Sequence, residues 1–219
     1  MEINKAFITI GLATALLQMP VAADAQHAGS ACCDHGNKTC RQNPLLQKSS
    51  LPFGAPDFAR IKETDYLPAI EAAVKQQREN IQKIVDNKAK PTFANTILAY
   101  ENSGVLLENV SNVFFGLCSA HKTPVIADTE KKVTPLLTDL DNEISFNQKL
   151  FERIKYVYDH EYKSLTGEDQ RLTEVIYKGF VRSGAMLSAD KMQRMKQINS
   201  RISYLQQQWG NLLPEATNN

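Results

Sequence analysis

Apolar side chains recur at steps of three and four residues from about position 64 to position 209, and this pattern restricts the fold more than any other feature. Such steps place side chains on one face of an α-helix, whereas a half-buried strand needs alternation with period two. No stretch shows that alternation. The pattern therefore predicts an all-α fold of about six or seven antiparallel helices joined by short loops.

Capping residues and helix breakers set the expected helix ends. Short polar side chains accept hydrogen bonds from the free N–H groups at a helix start, and glycine ends helices by adopting a left-handed conformation. The expected starts are Thr64 or Asp65, Asn95, Pro124, Asn147, Thr166 with Asp169 as a capping box, and Ser188; the expected break and end are Ser103–Gly104 and Gly184.

Two apolar stripes predict how their helices pack. Residues 105–118 are apolar around so much of the circumference that we expect this helix to be covered on two sides. The last helix places six large apolar side chains on one face, a stripe typical of the core or of a contact between helices: Met192, Met195, Ile198, Ile202, Leu205 and Trp209. In the first helix the polar residue Gln77 interrupts the stripe.

The first 25 residues have the pattern of a secretory signal peptide. Lys5 precedes an apolar run over residues 6–19, and Ala23-Asp24-Ala25 is a small-residue cleavage site. We expect cleavage after Ala25 and export, to the periplasm. The expected organisation is a signal peptide over 1–25, a flexible Cys/His-containing linker over 26–42, a helical domain over 43–213 and a polar tail over 214–219.

Three cysteines and two histidines crowd the expected linker, and two interpretations stay open. Thiolates and imidazoles are ligands for zinc or copper, so the segment could handle a metal. Alternatively it is a flexible leader whose cysteines oxidise after export. The residues are His27, Cys32, Cys33, His35 and Cys40, and their pairing is not determined. Cys118 lies in an apolar helix and is expected to be a buried free thiol.

No catalytic, cofactor-binding or metal-binding residues are predicted. A zinc-peptidase helix needs His-Glu-x-x-His, and the one His-Glu pair, His160-Glu161, is followed by Ser164 where the second histidine should stand. His121 is expected near the end of an apolar helix. The formal net charge is +1 without a basic stripe, which argues against a nucleic-acid partner. No segment after the signal peptide is apolar enough to predict a membrane span.

A series of short motifs runs through residues 43–213 in a fixed order. They are Asn43-Pro44-Leu45-Leu46, Leu51-Pro52-Phe53, Pro56-Asp57-Phe58, Tyr66-Leu67-Pro68-Ala69, Phe93-Ala94-Asn95-Thr96-Ile97-Leu98-Ala99, Ser103-Gly104, Val113-Phe114-Phe115, Ala120-His121, Leu150-Phe151-Glu152-Arg153, Arg171-Leu172-Thr173-Glu174-Val175-Ile176 and Phe180-Val181-Arg182-Ser183-Gly184-Ala185. This series resembles the N-terminal part of the thimet-oligopeptidase family of zinc peptidases, in its peptidyl-dipeptidase branch.

The resemblance implies a helical wall over a deep cleft that admits short peptides. In the family, zinc is held by His-Glu-x-x-His and a later glutamate, which these 219 residues do not contain. One hypothesis is therefore an N-terminal fragment of such a peptidase, inactive alone, whose partners are short peptides or the missing C-terminal part. It would leave Trp209, Leu212 and Leu213 exposed. The alternative is an exported, stand-alone helical module that binds a peptide or a protein.

Overall fold

Six helices of 13 residues or more make up most of the part of the chain that the structure describes. The computed structural model describes residues 41–217, without the side chains of residues 211 and 213–217. The helices are α1 Tyr66–Asp86, the one-turn α2 Ala99–Glu101, α3 Val105–Ala120, α4 Pro124–Ser145, α5 Gln148–His160, α6 Gly167–Ser183 and α7 Ala189–Thr217. Residues 41–217 contain no strand, so the predicted all-α class is confirmed.

Several expectations fall on residues that lie outside this range. The signal peptide over 1–25, nearly all of the linker over 26–42, and its cysteines and histidines are outside the described residues. At the other end, α7 continues to Thr217, past Leu213, where the sequence places the end of the helical domain. Pro214 lacks an N–H but can continue a helix at the loss of one hydrogen bond. Within the described range no helix is both long and apolar enough to span a membrane.

The core is built around the apolar face of α1. Seven of its side chains are buried: Tyr66, Ala69, Ile70, Ala73, Val74, Ile81 and Ile84. This helix packs against α3, α4 and α5, and the ring of Tyr66 lies 5.5 Å from that of Phe114 in α3. Because one stripe contacts three helices, α1 organises the rest of the fold around it.

The polar interruption at Gln77 has a packing reason. The break between α2 and α3 is a 3₁₀ turn, Asn102–Gly104, which lies against α1. A Cβ added at Gly104 would stand 2.7 Å from Nε2 of Gln77. The predicted break is therefore confirmed, and glycine is used there because it lets the Gln77 amide approach the backbone.

Helix ends agree with the sequence at some positions and differ at others. Asn147 accepts a hydrogen bond from the Leu150 N–H at 3.0 Å, as predicted. At the helix expected to start at Asn95, the cap is instead Thr92, whose hydroxyl accepts from the Asn95 N–H at 3.2 Å. Asn95 takes the reciprocal role in this capping box by accepting from the Thr92 N–H, because the chain opens there with a π-helical turn, Phe93–Leu98.

The capping box expected at Thr166 is wrong. Its side chain makes no capping hydrogen bond. Gly167, the first helical residue, has a φ of +59°. The chain thus enters α6 through a left-handed residue, whereas a capping box needs a helical backbone directly after the cap.

Expected coverage of α3 on two sides is also wrong within the described residues. Only Leu107, Val110 and Phe114 are buried, while Val105 and Phe115 are 46% and 36% exposed. The helix packs against α1, α4 and the short turn Pro44–Leu46, but these contacts do not cover its whole apolar arc.

The last helix packs by its polar side rather than its apolar side. Asn199, Ser203 and Gln207, spaced four apart, face α4. Asn199 donates to the Asn142 amide oxygen at 2.7 Å, and the Thr138 hydroxyl donates to Ser203 at 2.9 Å. The apolar face, expected in the core or in a contact between helices, is largely exposed within the described residues: Met192 and Met195 are half-buried, and Ile198, Ile202, Leu205 and Trp209 are exposed.

Two glycines of α6 give a matched test of why glycine is needed at the end of that helix. Gly184 ends α6 with a φ of +98°, and a Cβ there would lie 2.7 Å from Cδ1 of Leu187. We expect Gly184→Ala to lower the free energy of unfolding by about 1–3 kcal/mol. Gly179 lies within α6 with nothing within 4 Å of an added Cβ. We expect Gly179→Ala to raise stability by about 0.5–1 kcal/mol. Urea unfolding followed by circular dichroism measures the free energy of unfolding of both variants. Equal changes for Gly184→Ala and Gly179→Ala would contradict the need for glycine at position 184.

Candidate functional site

The His-Glu pair singled out by the zinc-motif search is used structurally. Glu161 accepts a hydrogen bond from the Phe93 N–H at 2.8 Å, at the start of the π-helical turn. The ring of His160 stacks 4.0 Å from that of Tyr156, and its Nδ1 lies 2.8 Å from the Tyr156 carbonyl oxygen. Ser164 donates its hydroxyl to the Glu161 carbonyl oxygen at 2.7 Å. These contacts leave the pair no arrangement suited to zinc.

Metal-ligating side chains do not gather elsewhere in residues 41–217. No group of three or more His, Cys, Asp or Glu side chains there could hold a metal ion. His121 follows the last turn of α3, as expected, and its N–H donates to the Leu117 carbonyl oxygen at 2.8 Å. Because the Cys/His segment lies outside the described residues, the absence of a metal site in the whole chain stays a prediction.

Cys118 is a free thiol, half-buried rather than fully buried. Burial raises its pKa to about 11, and the nearby Glu130 carboxylate acts in the same direction. The thiol is therefore protonated at neutral pH, and a protonated thiol is a poor nucleophile. Cys118 is not a catalytic candidate.

Arg153 joins two parts of the fold through its guanidinium group. It donates to the carbonyl oxygens of Asn87 at 2.8 Å and Ala89 at 3.3 Å. It also donates to the side-chain oxygens of Asn95 at 3.2 Å and Thr96 at 3.4 Å. Desolvation lowers the pKa of Arg153. The residue holds the loop after α1 and the π-helical turn against α5.

A second clamp fixes the N-terminal end of the described chain. Arg41 donates to both carboxylate oxygens of Asp65, at 2.8 and 3.0 Å, and to the Arg60 carbonyl oxygen. Burial alone would raise the pKa of Asp65, but the hydrogen bonds from Arg41 and from the Lys62 N–H outweigh it and lower the pKa. Sequence reasoning missed both clamps, because their partners lie 19 to 66 residues away along the chain.

An open cavity of about 400 Å³ lies where α1, α3 and α4 meet the short α2. Glu101, Glu108 and Asp141 place carboxylates around it, and Tyr100 and Ser111 contribute hydroxyl groups. Burial raises the pKa of Tyr100 to about 12, and the charges of Asp141 and Glu101 act in the same direction. These groups can attract a cation, but no nucleophile is paired with a base. The arrangement is suited to binding rather than to catalysis.

A row of exposed apolar side chains lies on α7, and we call it the α7 seam. It consists of Ile198, Ile202, Leu205, Trp209 and Leu212, whose exposed fractions run from 38% to 69%. The expected exposure of Trp209 and Leu212 is confirmed; the side chain of Leu213 is outside the described side chains. Exposed apolar side chains in a continuous row are typical of an interaction surface.

Comparison with known proteins supplies the family. No family model matches the chain. The dipeptidyl carboxypeptidases of Salmonella typhimurium and Escherichia coli are 38% and 37% identical to it, in each case over 80% of this chain. The chain matches an N-terminal segment of this family. Oligopeptidase A of Escherichia coli is 26% identical over a similar segment, and the chain spans about a quarter of the length of these relatives.

The resemblance to the peptidase family is therefore confirmed, and the structure shows what several of its motif residues do. Asn95, Thr96 and Arg153, from two separate motifs, meet in one hydrogen-bonded cluster. Gly104 allows the close approach to α1, and Gly184 ends α6. These residues maintain the helical fold of this chain, so they carry the resemblance through structural contacts.

The Arg153 cluster predicts a large effect on stability. We expect Arg153→Ala to lower the free energy of unfolding by about 2–3 kcal/mol, because four acceptors lose a charged donor. Arg153→Lys should cause a smaller loss of unfolding free energy than Arg153→Ala, since one ammonium cannot reach both pairs of acceptors. The control is Arg171→Ala, which removes an exposed ion pair with Glu174 and should cost at most about 1 kcal/mol. Denaturant unfolding measures all three, and equal losses for Arg153→Ala and Arg171→Ala would contradict the role of the cluster.

Proposed function

We propose that this chain is the N-terminal helical part of a zinc peptidyl-dipeptidase, an oligopeptidase that releases C-terminal dipeptides from short peptides, and that it is inactive alone. The observation that supports this most directly is its match to dipeptidyl carboxypeptidases over 80% of the chain but 26% of their length. The absence of His-Glu-x-x-His from all 219 residues supports the second half of the proposal. Zinc and its general base would come from the rest of the peptidase.

The proposed partners are short peptides and that remaining part. The α7 seam supports the second partner, since these apolar side chains are left in water. The acidic cavity beside Tyr100 supports the first, because a peptide carries a positive charge at its amino terminus and on Lys and Arg side chains.

A stand-alone, exported binding module is the second candidate. The same cavity favours it, since a site suited to binding needs no zinc. Calorimetry of the isolated chain with mixed short peptides tests the binding that the module requires. Micromolar binding that Asp141→Asn weakens supports the module; absence of binding in a folded monomer removes its support.

A chimera tests the first proposal. The aligned segment of the Escherichia coli dipeptidyl carboxypeptidase is replaced by residues 43–213 of this chain, and dipeptide release from short peptides is measured. We expect zinc-dependent release by the chimera, and none by the isolated chain or by the relative lacking the segment. A folded but inactive chimera would overturn the proposal. Metal-dependent turnover by the pure isolated chain would overturn its inactivity.

We also propose that the chain is exported to the periplasm after cleavage behind Ala25. The tripartite pattern of residues 1–25 supports this. Expression of the full chain in a bacterial host, followed by fractionation and N-terminal sequencing, checks it. We expect a periplasmic product beginning at Gln26; an uncleaved chain in the cytoplasmic fraction would contradict export.

A further inference from the structure

The α7 seam has the spacing of a coiled-coil interface. Its five residues follow one another at steps of four, three, four and three. That repeat is the one by which two helices pack knobs into holes. At roughly 100° per residue, the seam lies roughly 140° around the helix from Asn199, Ser203 and Gln207. Because those three face α4, most of the seam is turned away from α4. Ile202, at the edge of the seam, lines an open cavity with Leu137 and Asp141 of α4.

One flank of the seam is basic. Between positions 191 and 212 the helix carries four basic residues and no acidic one. Arg201 directly precedes Ile202 of the seam, and Arg194, seven residues earlier, precedes the half-buried Met195, which lies three residues before Ile198. In the described structure, Arg194 donates to the Gln197 side chain at 3.2 Å. The guanidinium of Arg201 lies 5.3 Å from the centre of the Tyr204 ring. Residues at such flanking positions select partners by charge.

These charges discriminate between possible occupants. In an antiparallel pair of copies, the flanking arginines of one copy face those of the other, which is repulsive. In a parallel pair, Arg201 faces Gln206 of the other copy and gains no opposite charge. A helix with acidic residues at its flanks pairs with Arg194 and Arg201 instead. The charge pattern thus favours a different, acidic helix over a second copy of this chain.

We propose that the α7 seam binds an amphipathic helix with an apolar three-four repeat and acidic flanks, supplied by the remaining part of the peptidase. This inference rests on the proposed function, since the relatives are about four times as long as the matched segment. Binding leaves the core unchanged, because α7 meets α4 through hydrogen bonds on its other side.

Trp209 makes the test direct, since it is the one tryptophan of the chain and is 69% exposed in the seam. Two synthetic helical peptides share the same apolar repeat and carry either Glu or Lys at the flanks. We expect the Glu peptide to shift Trp209 emission to the blue at micromolar concentration, and the Lys peptide to bind at least tenfold more weakly. Arg194→Glu with Arg201→Glu should reverse this preference.

Two substitutions of matched chemistry control the experiment. Leu205→Glu, in the seam, should abolish the shift. Val175→Glu, at a 49% exposed position of α6 outside the seam, should leave it unchanged. Circular dichroism checks that both variants keep their helices. Equal binding of the two peptides, or no binding of either, would overturn the acidic-helix assignment. Concentration-dependent dimers and a blue shift without peptide would assign the seam to a second copy instead.

The source of the helix is tested in the active chimera. There we expect Leu205→Glu to reduce dipeptide release at least tenfold, while Val175→Glu leaves it within twofold. If the chimera is active and tolerates Leu205→Glu, the helix does not come from the remaining part of the peptidase. The proposed function would still stand. An inactive chimera whose isolated segment still discriminates the peptides by charge would overturn the proposed function but not the chemistry of the seam.

Discussion

Burial of one face of α1 is the interaction on which the rest of this structure depends. Residues from Tyr66 to Ile84 contact α3, α4 and α5 at once, so removing large apolar groups from that face would loosen three interfaces together. Each such side chain contributes about 1.5–3 kcal/mol when it leaves water. The polar gap at Gln77 fits the same plan, since there α1 meets backbone at Gly104 instead of side chains.

Hydrogen bonds of polar side chains position the loop after α1 and the π-helical turn. Arg153 ties the loop after α1 to α5, and Glu161 caps the π-helical turn from the far end of the same helix. Arg153 and two of its acceptors, Asn95 and Thr96, belong to motifs that resemble the family. A resemblance built on such residues identifies a common fold reliably. It says little about chemistry, because the contacts that these residues make are structural.

The polar side of α7 attaches the helix to its own domain, whereas its apolar side is exposed. Asn199, Ser203 and Gln207 attach the helix to α4 through hydrogen bonds, each worth only about 0.5–1.5 kcal/mol net. The apolar repeat, which is the stronger potential source of stability, stays in water. Hydrogen bonds with α4 position the helix. Its apolar repeat would add stability only when another apolar surface removes it from water.

The sequence by itself determined the helical class, the break at Ser103–Gly104, the Asn147 cap and the end at Gly184, because each depends on a few neighbouring residues. It also identified the family. Only the tertiary structure decided which stripe of α3 and α7 is covered, since an amphipathic pattern shows that a face is apolar and not what meets it. The contacts of Arg153 likewise join residues 57 to 66 positions apart, a distance that local periodicity does not report.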